Sequence, residues 1–275
     1  MYVSCKLKGG LGNQLFQIFT TINYCLENNS QLVFLDCDQT EGSTLRHTYW
    51  NTLFKNQFKL VDESFFRKNQ FTMYMEPKFQ YNILPKFDMN VVFNGYFQSS
   101  KYFLDIRDKI ITIMNSNKEI AKEVETQFNN ITSDKPLVSL HVRRTDYVKL
   151  NTIHHNQSEN YYKHSIYIIK NKLKVNSIKL VVFSDDIPYC EENIMKWIDD
   201  NDDIIYIKNN TDYVDLLLMS KFKYNIIANS SFSWWGAYLN NNIDKLVIAP
   251  LTWFGPNGQK DWNDIYCKDW IKIKD

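Results

Sequence analysis

The sequence has no excess of either charge. In its 275 residues, 32 lysines and arginines are balanced by 31 aspartates and glutamates, which gives a formal net charge of +1. Proteins that bind nucleic acid normally carry a strong basic excess, so the balance argues against such a partner. Any basic ligand site must therefore be local. The adjacent Arg143 and Arg144 are the obvious place for one.

Closely spaced cysteines and long apolar runs are also missing. The five cysteines are far apart and form no C-x-x-C motif, which predicts reduced thiols rather than a disulfide framework or a zinc site. The first residues, MYVSCKLKGG, lack the apolar core of a signal peptide, and no run approaches a membrane span. We therefore expect a cytoplasmic protein without a transmembrane segment, long enough for two domains.

Two common nucleotide-binding motifs are incomplete near the amino terminus. The segment GGLGNQ, residues 9–14, lacks the Gly-Lys-Ser/Thr ending of a P-loop, so ATP hydrolysis of that kind is not expected. It also falls short of GxGxxG, because Gln14 and Leu15 occupy the place of the last glycine. Two interpretations stay open: a purely structural turn, or a helix N-terminus that points into a cleft with Asn13 available to a ligand.

The spacing of apolar residues predicts an α/β protein. Alternation from Tyr2 predicts a strand, a helical period follows from Leu11 to Leu26, and residues 31–36 resemble a second strand, which together make one βαβ unit. Residues 37–98 are aromatic-rich and give no clear pattern. We expect a helix over 100–115 and a linker over 129–135.

The second half alternates strands and helices. Strands are predicted over 137–142, 179–183, 204–207, 225–229 and 245–249, and helices over 160–173, 188–199, 211–222 and 231–240. Such alternation is typical of a parallel sheet covered by helices on both faces. In these sheets ligands bind outside the carboxyl ends of the strands.

Two of the predicted strands end in charged residues. HVRR, residues 141–144, follows an apolar strand, and arginine suits a phosphate because its planar fork donates two parallel hydrogen bonds. The alternative for Arg143 is a surface ion pair, for example with Asp146. In FSDD, residues 183–186, capping of the next helix by Ser184 or Asp186 is favoured over direct chemistry.

The third motif is ANSSFSWWGA, residues 228–237. Ser230 and Ser231 lie at a predicted strand-to-helix junction, where free backbone N–H groups favour an anion. Serine there is also an ordinary N-cap, but together with two arginines in the same sheet a phosphate site is the better explanation. Trp234 and Trp235 have the chemistry to stack on a ring, although we favour a core position for at least one.

Taken together, GGLGNQLFQ, HVRRTDY, FSDD and ANSSFSWWGA resemble the α1,2-fucosyltransferase family, glycosyltransferase family 11, in the family's order. The segment DLLLMS, residues 215–220, is similar to the family too. Thr145 stands where the family commonly has glycine. The resemblance implies the GT-B architecture, two Rossmann-like domains facing each other across a cleft. Residues 1–133 would form the acceptor domain and residues 134–275 the GDP-sugar domain, with a carboxyl-terminal tail returning to the first domain.

The resemblance also implies an activity. Members transfer L-fucose from GDP-β-L-fucose to the O2 hydroxyl of a terminal β-galactoside, with inversion and without a metal or other cofactor, and the sequence has no convincing Asp-x-Asp metal site. Two alternatives stay open. One is a GT-B transferase with another nucleotide sugar or a non-galactose acceptor. The other is a non-catalytic carbohydrate-binding protein, suggested by 7 tryptophans and 17 tyrosines.

By the same resemblance, Arg143 would contact the β-phosphate and Asp215 would recognise guanine. The full donor-binding set comprises Asn13, His141, Arg143, Arg144, Asp185, Asp215, Asn229, Ser230, Ser231 and Phe232. Arg143 is also expected to act in catalysis. The base is undecided: Asp146, His154, His155 and Asp36 are candidates by position. Some relatives carry a glutamate in this loop, where Asn151 is the nearest counterpart here, and a very dissociative transition state would need little help from a base.

Overall fold

The computed structural model describes residues 1–40 and 45–275, which divide into two compact units. Unit 1 comprises residues 1–121 and 261–266, and unit 2 comprises residues 122–260 and 267–275. Each unit contains a parallel β-sheet with α-helices. The α/β class predicted from the sequence is therefore confirmed.

Unit 1 begins with the predicted βαβ unit. Helix formation from Leu11 follows a turn at Gly9, and nearly the whole helix surface is buried. The elements that lie in this part of the chain are β1 (Tyr2–Cys5), α1 (Leu11–Glu27), β2 (Gln31–Leu32), β3 (Phe34–Leu35), β4 (Leu60–Val61), α2 (Glu63–Asn69), β5 (Thr72–Met75), β6 (Val91–Asn94) and α3 (Arg107–Met114).

The main sheet of unit 1 has the order β2-β1-β6-β5, and all its pairs are parallel. The strand predicted over 31–36 is split, because β2 pairs with β1 whereas β3 pairs with β4 in a separate two-stranded sheet. The helix predicted over 100–115 is also wrong in part. Two short 3₁₀ turns precede α3, which begins only at Arg107.

The division between the units falls inside α4 (Lys118–Asn130). This helix was not predicted, and residues 129–130 of the expected linker are helical. The remaining elements are β7 (Leu137–Val142), α5 (Thr145–Lys149), α6 (Glu159–Leu173), β8 (Lys179–Ser184), α7 (Ile187–Asn193), β9 (Asp203–Tyr206), α8 (Asp212–Met219), β10 (Tyr224–Ile226), α9 (Ser231–Leu239), β11 (Leu246–Pro250) and β12 (Ile271–Ile273).

The sheet of unit 2 has the order β12-β11-β10-β7-β8-β9 and is parallel throughout. Its strands are near-continuous apolar runs, as expected where helices cover both faces. Residues 180–183 of β8 are at most 1% exposed, and each such side chain contributes about 1.5–3 kcal/mol by its burial. The predicted strands and helices of this half are present, but three of them end early. Helix α7 ends at Asn193 and a 3₁₀ turn follows, α8 ends at Met219, and β10 ends at Ile226.

The tryptophans of α9 belong to the core of unit 2. Trp234 and Trp235 are both fully buried, and Trp234 stacks on Tyr238 at 4.8 Å between ring centroids. The core prediction therefore holds for both residues. The five cysteines are free thiols. Within the described ranges, no helix has both the length and the apolar character that crossing a bilayer requires.

Candidate functional site

Polar segments follow three neighbouring strands at one edge of the unit 2 sheet. Strand β7 lies between β10 and β8, with Ile226 opposite Leu140 and Ser184 opposite Val142. Because all three strands run in the same direction, the residues after Val142, Ser184 and Ile226 meet at the carboxyl edge of the sheet. The motifs HVRR, FSDD and ANSS are therefore brought to the same edge.

Arg143 lies between two carboxylates. Its Nη2 donates to Asp146 Oδ1 at 2.6 Å, and its Nη1 is 3.3 Å from Asp185 Oδ2. The guanidinium carbon is 5.4 Å from the ring centroid of Tyr147. The ion pair with Asp146 is thus formed, and about a quarter of the Arg143 side chain (24%) remains exposed. Its Nε is buried and has no hydrogen-bond partner among residues 1–40 and 45–275.

Asp185 fixes the turn after β7. Its Oδ1 accepts from the Arg144 backbone N–H at 2.9 Å, and its Oδ2 accepts from the Thr145 N–H at 3.1 Å and from the Thr145 hydroxyl. Both carboxylate oxygens are therefore engaged by the turn that carries Arg143. The Thr145 hydroxyl supplies a bond that glycine lacks, which explains how threonine fits at this position.

Arg144 points away from Arg143. Its guanidinium carbon lies 3.4 Å from the ring centroid of Tyr189, and its Nε is 3.3 Å from Asp186 Oδ2. Asp186 also accepts from the Tyr189 backbone N–H at 3.2 Å and so caps α7, as predicted. The two adjacent arginines thus have different surroundings. Arg143 lies between Asp146 and Asp185, and Arg144 is held on α7.

His141 connects β7 to the start of α9. The residue is 3% exposed, and its ring centroid is 5.6 Å from that of Phe232. Burial lowers the pKa of His141 to about 3, with Asp185 raising it and Arg143 lowering it further. The imidazole is therefore neutral at physiological pH. Its Nδ1 is buried without a hydrogen-bond partner in the described part of the chain.

The junction between β10 and α9 is rigid. Asn229 Nδ2 donates to the backbone oxygens of His155 and Trp253 at 2.8 and 2.7 Å, and Tyr147 donates its hydroxyl to Asn229 O at 3.0 Å. The Ser230 hydroxyl accepts from Phe232 N–H at 3.3 Å as the N-cap. The side chains of Asn229 and Ser230 therefore make hydrogen bonds within the protein, and Ser231 and Phe232 are the half-buried residues of the first turn. Contacts of these four residues with a donor stay a prediction.

A cavity of about 360 Å³ opens beside Ser184, at the carboxyl ends of β8 and β9. Asp215, in the first turn of α8, lies in its wall, and Asn210 Nδ2 donates to Asp215 Oδ1 at 2.9 Å. Burial raises the pKa of Asp215 to about 6; the Asn210 hydrogen bond lowers it and Asp212 raises it. The residues that line the cavity are Ser184, Ile187, Pro188, Glu191, Ile207, Lys208, Asn209, Asn210 and Asp215.

The cavity is linked to the arginine turn through Ser184. The Ser184 hydroxyl donates to Val142 O at 2.8 Å and accepts from the Asp186 backbone N–H at 2.9 Å. Ser184 thus joins the last residue of β7 to the wall of the cavity. The edge thus offers the Asp215 carboxylate, which can accept hydrogen bonds from a nucleobase, and the Arg143 guanidinium, which can bind a phosphate.

Only some of the candidate bases lie near Arg143. His154 stacks on Tyr147 at 4.1 Å, and burial lowers the pKa of His154. Asp146 is the ion-pair partner of Arg143. His155 is directed elsewhere, because its Nε2 lies 2.8 Å from Asp275 Oδ2. Asp146 and His154 are therefore near Arg143, whereas His155 is occupied at another position, and Asp36 belongs to unit 1.

Asn13 lies in unit 1 at the start of α1. Its Oδ1 accepts from Gln98 Nε2 at 2.6 Å, and the φ of Gly9 is +74°. A Cβ on Gly9 would lie 2.3 Å from Asn13 Nδ2. The glycine segment therefore forms a tight turn, which both interpretations share, and a ligand contact of Asn13 stays a prediction.

Several residues of this edge were not assigned from the sequence. Tyr147, Asn210 and Asp275 support Asn229, Asp215 and His155. Tyr147 had a signal, since it ends HVRRTDY, whereas Asn210 and Asp275 lie in no motif. Among the described residues there is no cluster of three His, Cys, Asp or Glu side chains suited to a metal ion; a reaction without metal stays a prediction.

Comparison with known proteins gives matches along the chain. The family model described as Glycosyl transferase family 11 matches residues 41–274. The chain is 35% identical over 301 residues to an Alpha-1,2-colitosyltransferase of Escherichia coli, covering 99% of both chains. It is 29% identical over 323 residues to the O-antigen biosynthesis glycosyltransferase WbnK of Escherichia coli, covering 98% of this chain and 99% of WbnK.

Solved structures show the same fold at low sequence identity. POFUT1 in complex with GDP superimposes with a TM-score of 0.56 at 12% identity, covering 90% of this chain and 97% of POFUT1. POFUT1 in complex with GDP-fucose gives a TM-score of 0.52 at 12% identity, covering 90% and 96%. At this identity the likeness concerns the fold alone.

Proposed function

The chain belongs to glycosyl transferase family 11, and we propose that it transfers L-fucose from GDP-β-L-fucose to the O2 hydroxyl of a terminal β-galactoside, with inversion at C1. One observation carries the proposal. The Arg143 guanidinium and the first turn of α9 follow adjacent strands of one sheet, and Ser184 joins them to the cavity that contains Asp215.

Asp215 suits the nucleobase of the donor. A carboxylate accepts hydrogen bonds from the ring N1–H and the amino group of guanine, whereas uracil and adenine do not present that pair of donors. The cavity beside Asp215 is about 360 Å³, which is within the usual size of small-ligand sites. The solved complex of POFUT1 with GDP-fucose, a protein of the same fold, is consistent with a guanosine donor.

Arg143 suits the diphosphate. As the bond between fucose and phosphate breaks, negative charge grows on the leaving oxygen. A guanidinium about 4 Å away in a partly screened site stabilises a unit charge by roughly 4 kcal/mol. Only the part of that interaction that increases in the transition state accelerates the reaction. Backbone N–H groups at the start of α9 add further stabilisation of the anion.

Inversion requires a group that accepts the proton of the acceptor hydroxyl. Asp146 and His154 lie near Arg143, and the pKa of His154 is lowered by its burial, which keeps the imidazole neutral and able to accept a proton. His155 is engaged with Asp275. We therefore assign the proton transfer to Asp146 or His154 and give His155 a structural role.

Thermal shift with nucleotides and a transfer assay test the proposal. GDP above its dissociation constant should raise the melting temperature, and UDP and ADP should leave it unchanged. Incubation with GDP-fucose and lactose should yield a product heavier by one deoxyhexose. Stabilisation by all three nucleotides alike would remove the guanine assignment. GDP binding without transfer would favour a transferase with another donor sugar or another acceptor, whereas sugar binding without GDP binding would favour the carbohydrate-binding alternative.

A second candidate donor is GDP-colitose, because the 35% identical relative is named Alpha-1,2-colitosyltransferase. Colitose is fucose without the 3-hydroxyl group. A site that hydrogen-bonds this hydroxyl discriminates strongly against the deoxy sugar, whereas an apolar site tolerates both within about 100-fold. Competition between equal concentrations of the two donors decides the matter. Excess fucosyl product supports the proposal, and excess colitosyl product reassigns the donor.

A further inference from the structure

Two amide side chains near Asp215 form a closed pair. Gln127 Nε2 donates to Asn210 Oδ1 at 2.9 Å, and Asn210 Nδ2 donates to Gln127 Oε1 at 2.8 Å. Gln127 belongs to α4 and Asn210 to the segment between β9 and α8, and both lie in unit 2. The reciprocal bonds fix the orientation of one amide relative to the other, and the contact of Gln127 Nε2 with Glu123 Oε1 at 3.4 Å places the nitrogen end of the Gln127 amide.

The second N–H of Asn210 is directed at Asp215. The distance from Asn210 Nδ2 to Asp215 Oδ1 is 2.9 Å. An amide nitrogen has two protons, and one goes to Gln127 while the other goes to the carboxylate. A flipped Asn210 would place an oxygen against Asp215 and repel it. Gln127 therefore controls the side chain that faces Asp215, although Gln127 itself does not line the cavity.

We propose that Gln127 and Asn210 form an amide relay from α4 that orients the Asp215 carboxylate and keeps it ionised for recognition of the guanine base. The inference rests on the proposed function, since it assigns positioning residues to the same donor site. Neither residue would touch the reacting atoms. Both would act through Asp215.

Burial and a neighbouring carboxylate both disfavour the ionised form of Asp215. Asp212 on the same helix raises the pKa of Asp215, as burial does, and the Asn210 hydrogen bond lowers it. Across the cavity Glu191 lies in the wall, paired with Lys208 at 2.5 Å between Nζ and Oε1. The Lys208 charge is thus directed to Glu191. Loss of the Asn210 bond would raise the pKa of Asp215 from about 6 toward the working range.

Titration calorimetry with GDP tests the relay on the full chain. The variants are Asn210→Leu, which removes the donor, and Gln127→Met, which removes the orienting partner. Asn129→Ala, on the exposed surface of the same helix, is the matched control. Dissociation constants are compared between variants at each pH, because the β-phosphate of GDP titrates in the same range and its effect cancels in the ratio.

Loss of the relay should weaken GDP binding by a factor that depends on pH. Loss of orientation weakens GDP binding by Asn210→Leu at every pH, and for a pKa increase of about one unit the ratio to wild type would be about fivefold larger near pH 6 than near pH 8. Gln127→Met would show the same trend, and it carries the test if Asn210→Leu does not fold. Asn129→Ala would follow the wild type. A defect of the same factor at every pH, or no defect, would overturn the relay. Failure of the wild type to bind GDP at any pH would instead refute the proposed function.

Discussion

At the scale of single residues, the site depends on how Arg143 is held. Two carboxylates fix the guanidinium, from Asp146 on the following helix and from Asp185 directly after β8. Because these ion pairs are partly exposed to solvent, they contribute little to the stability of the fold. Their effect is to orient the planar fork in advance, and an oriented donor group costs no reorganisation during the reaction.

Replacing Arg143 by lysine tests that orientation. Arg143→Lys keeps the charge and loses the fork. We expect a loss of about 3–4 kcal/mol in transition-state stabilisation, which lowers kcat by roughly two to three orders of magnitude. The melting temperature should change little. Arg67→Lys, in an exposed pair with Glu63 in unit 1, is the control and should keep full activity. Near-normal turnover by Arg143→Lys would remove the catalytic role.

Asp215 should reduce the stability of the ligand-free protein. Its pKa in the folded state is about 6, above the ordinary value of 3.8. The folded state therefore binds more protons between these values, and stability decreases as pH rises through that window. Asp215→Asn removes this cost, on the order of 1–3 kcal/mol at neutral pH. We expect a higher melting temperature for the ligand-free variant and weaker GDP binding.

The same variant has a signature in its pH dependence. The gain in melting temperature of Asp215→Asn should shrink as pH falls from neutral toward the ordinary carboxyl pKa, because Asp215 of the wild type then becomes neutral as well. Differential scanning calorimetry without nucleotide measures it. A variant less stable than the wild type at neutral pH would show that the Asp215 carboxylate stabilises the fold.

Sequence patterns identified residue types at this scale better than side-chain directions. HVRR correctly predicted charge at the end of β7, but adjacent residues point to different sides, and Arg144 lies on Tyr189. The contact of Arg144 with the Tyr189 ring, 45 positions along the chain, is set by tertiary packing, and a local sequence pattern contains no information on such contacts. The same holds for Gln127, whose partner is Asn210.

At the scale of elements, the turn between β1 and α1 depends on one glycine. Gly9 has a φ of +74°, and a Cβ there would approach Asn13 Nδ2 to 2.3 Å, while Gly10 has open space for a Cβ and a φ of −75°. Asn13 has little freedom to move away, since it is hydrogen-bonded to Gln98. The turn therefore requires glycine at position 9 but not at position 10.

Alanine substitutions at the two positions should therefore differ in their effect on stability. Gly9→Ala should lower the free energy of unfolding by about 1–3 kcal/mol through backbone strain and the clash with Asn13. The melting temperature should therefore decrease by several degrees. Gly10→Ala should be close to neutral. Thermal denaturation of both variants decides this. Equal melting temperatures would show that the turn tolerates a side chain at Gly9.

Periodicity predicted the long, buried elements well. Helix α6 and strand β7 agree with the expected ranges to within one residue. It failed for residues 37–98, where the strands have two to four residues and carry too little pattern. Phe34, just before this segment, packs with Trp50, Phe54 and Phe58 at 5.0–6.0 Å between ring centroids. An aromatic cluster therefore accompanies the short strands and α2 of the segment.

At the scale of the whole molecule, the chain contains two α/β units, and the candidate donor site described above lies in unit 2. Four motifs in order were enough to predict the family and the fold class. The acceptor could not be inferred in this way, because three of the four motifs lie at one sheet edge of unit 2, whereas residues 37–98 belong to unit 1 and carry no motif. The assignment of unit 1 to the acceptor stays a prediction.

The most direct measurement is the structure of the reaction product. Wild-type protein is incubated with GDP-β-L-fucose and lactose, and the isolated trisaccharide is examined by NMR. We expect an α-linked fucose on O2 of the galactose, since inversion of a β-linked donor gives the α anomer. A β-linked product, a fucose on another hydroxyl, or no product from a protein that binds GDP would contradict it.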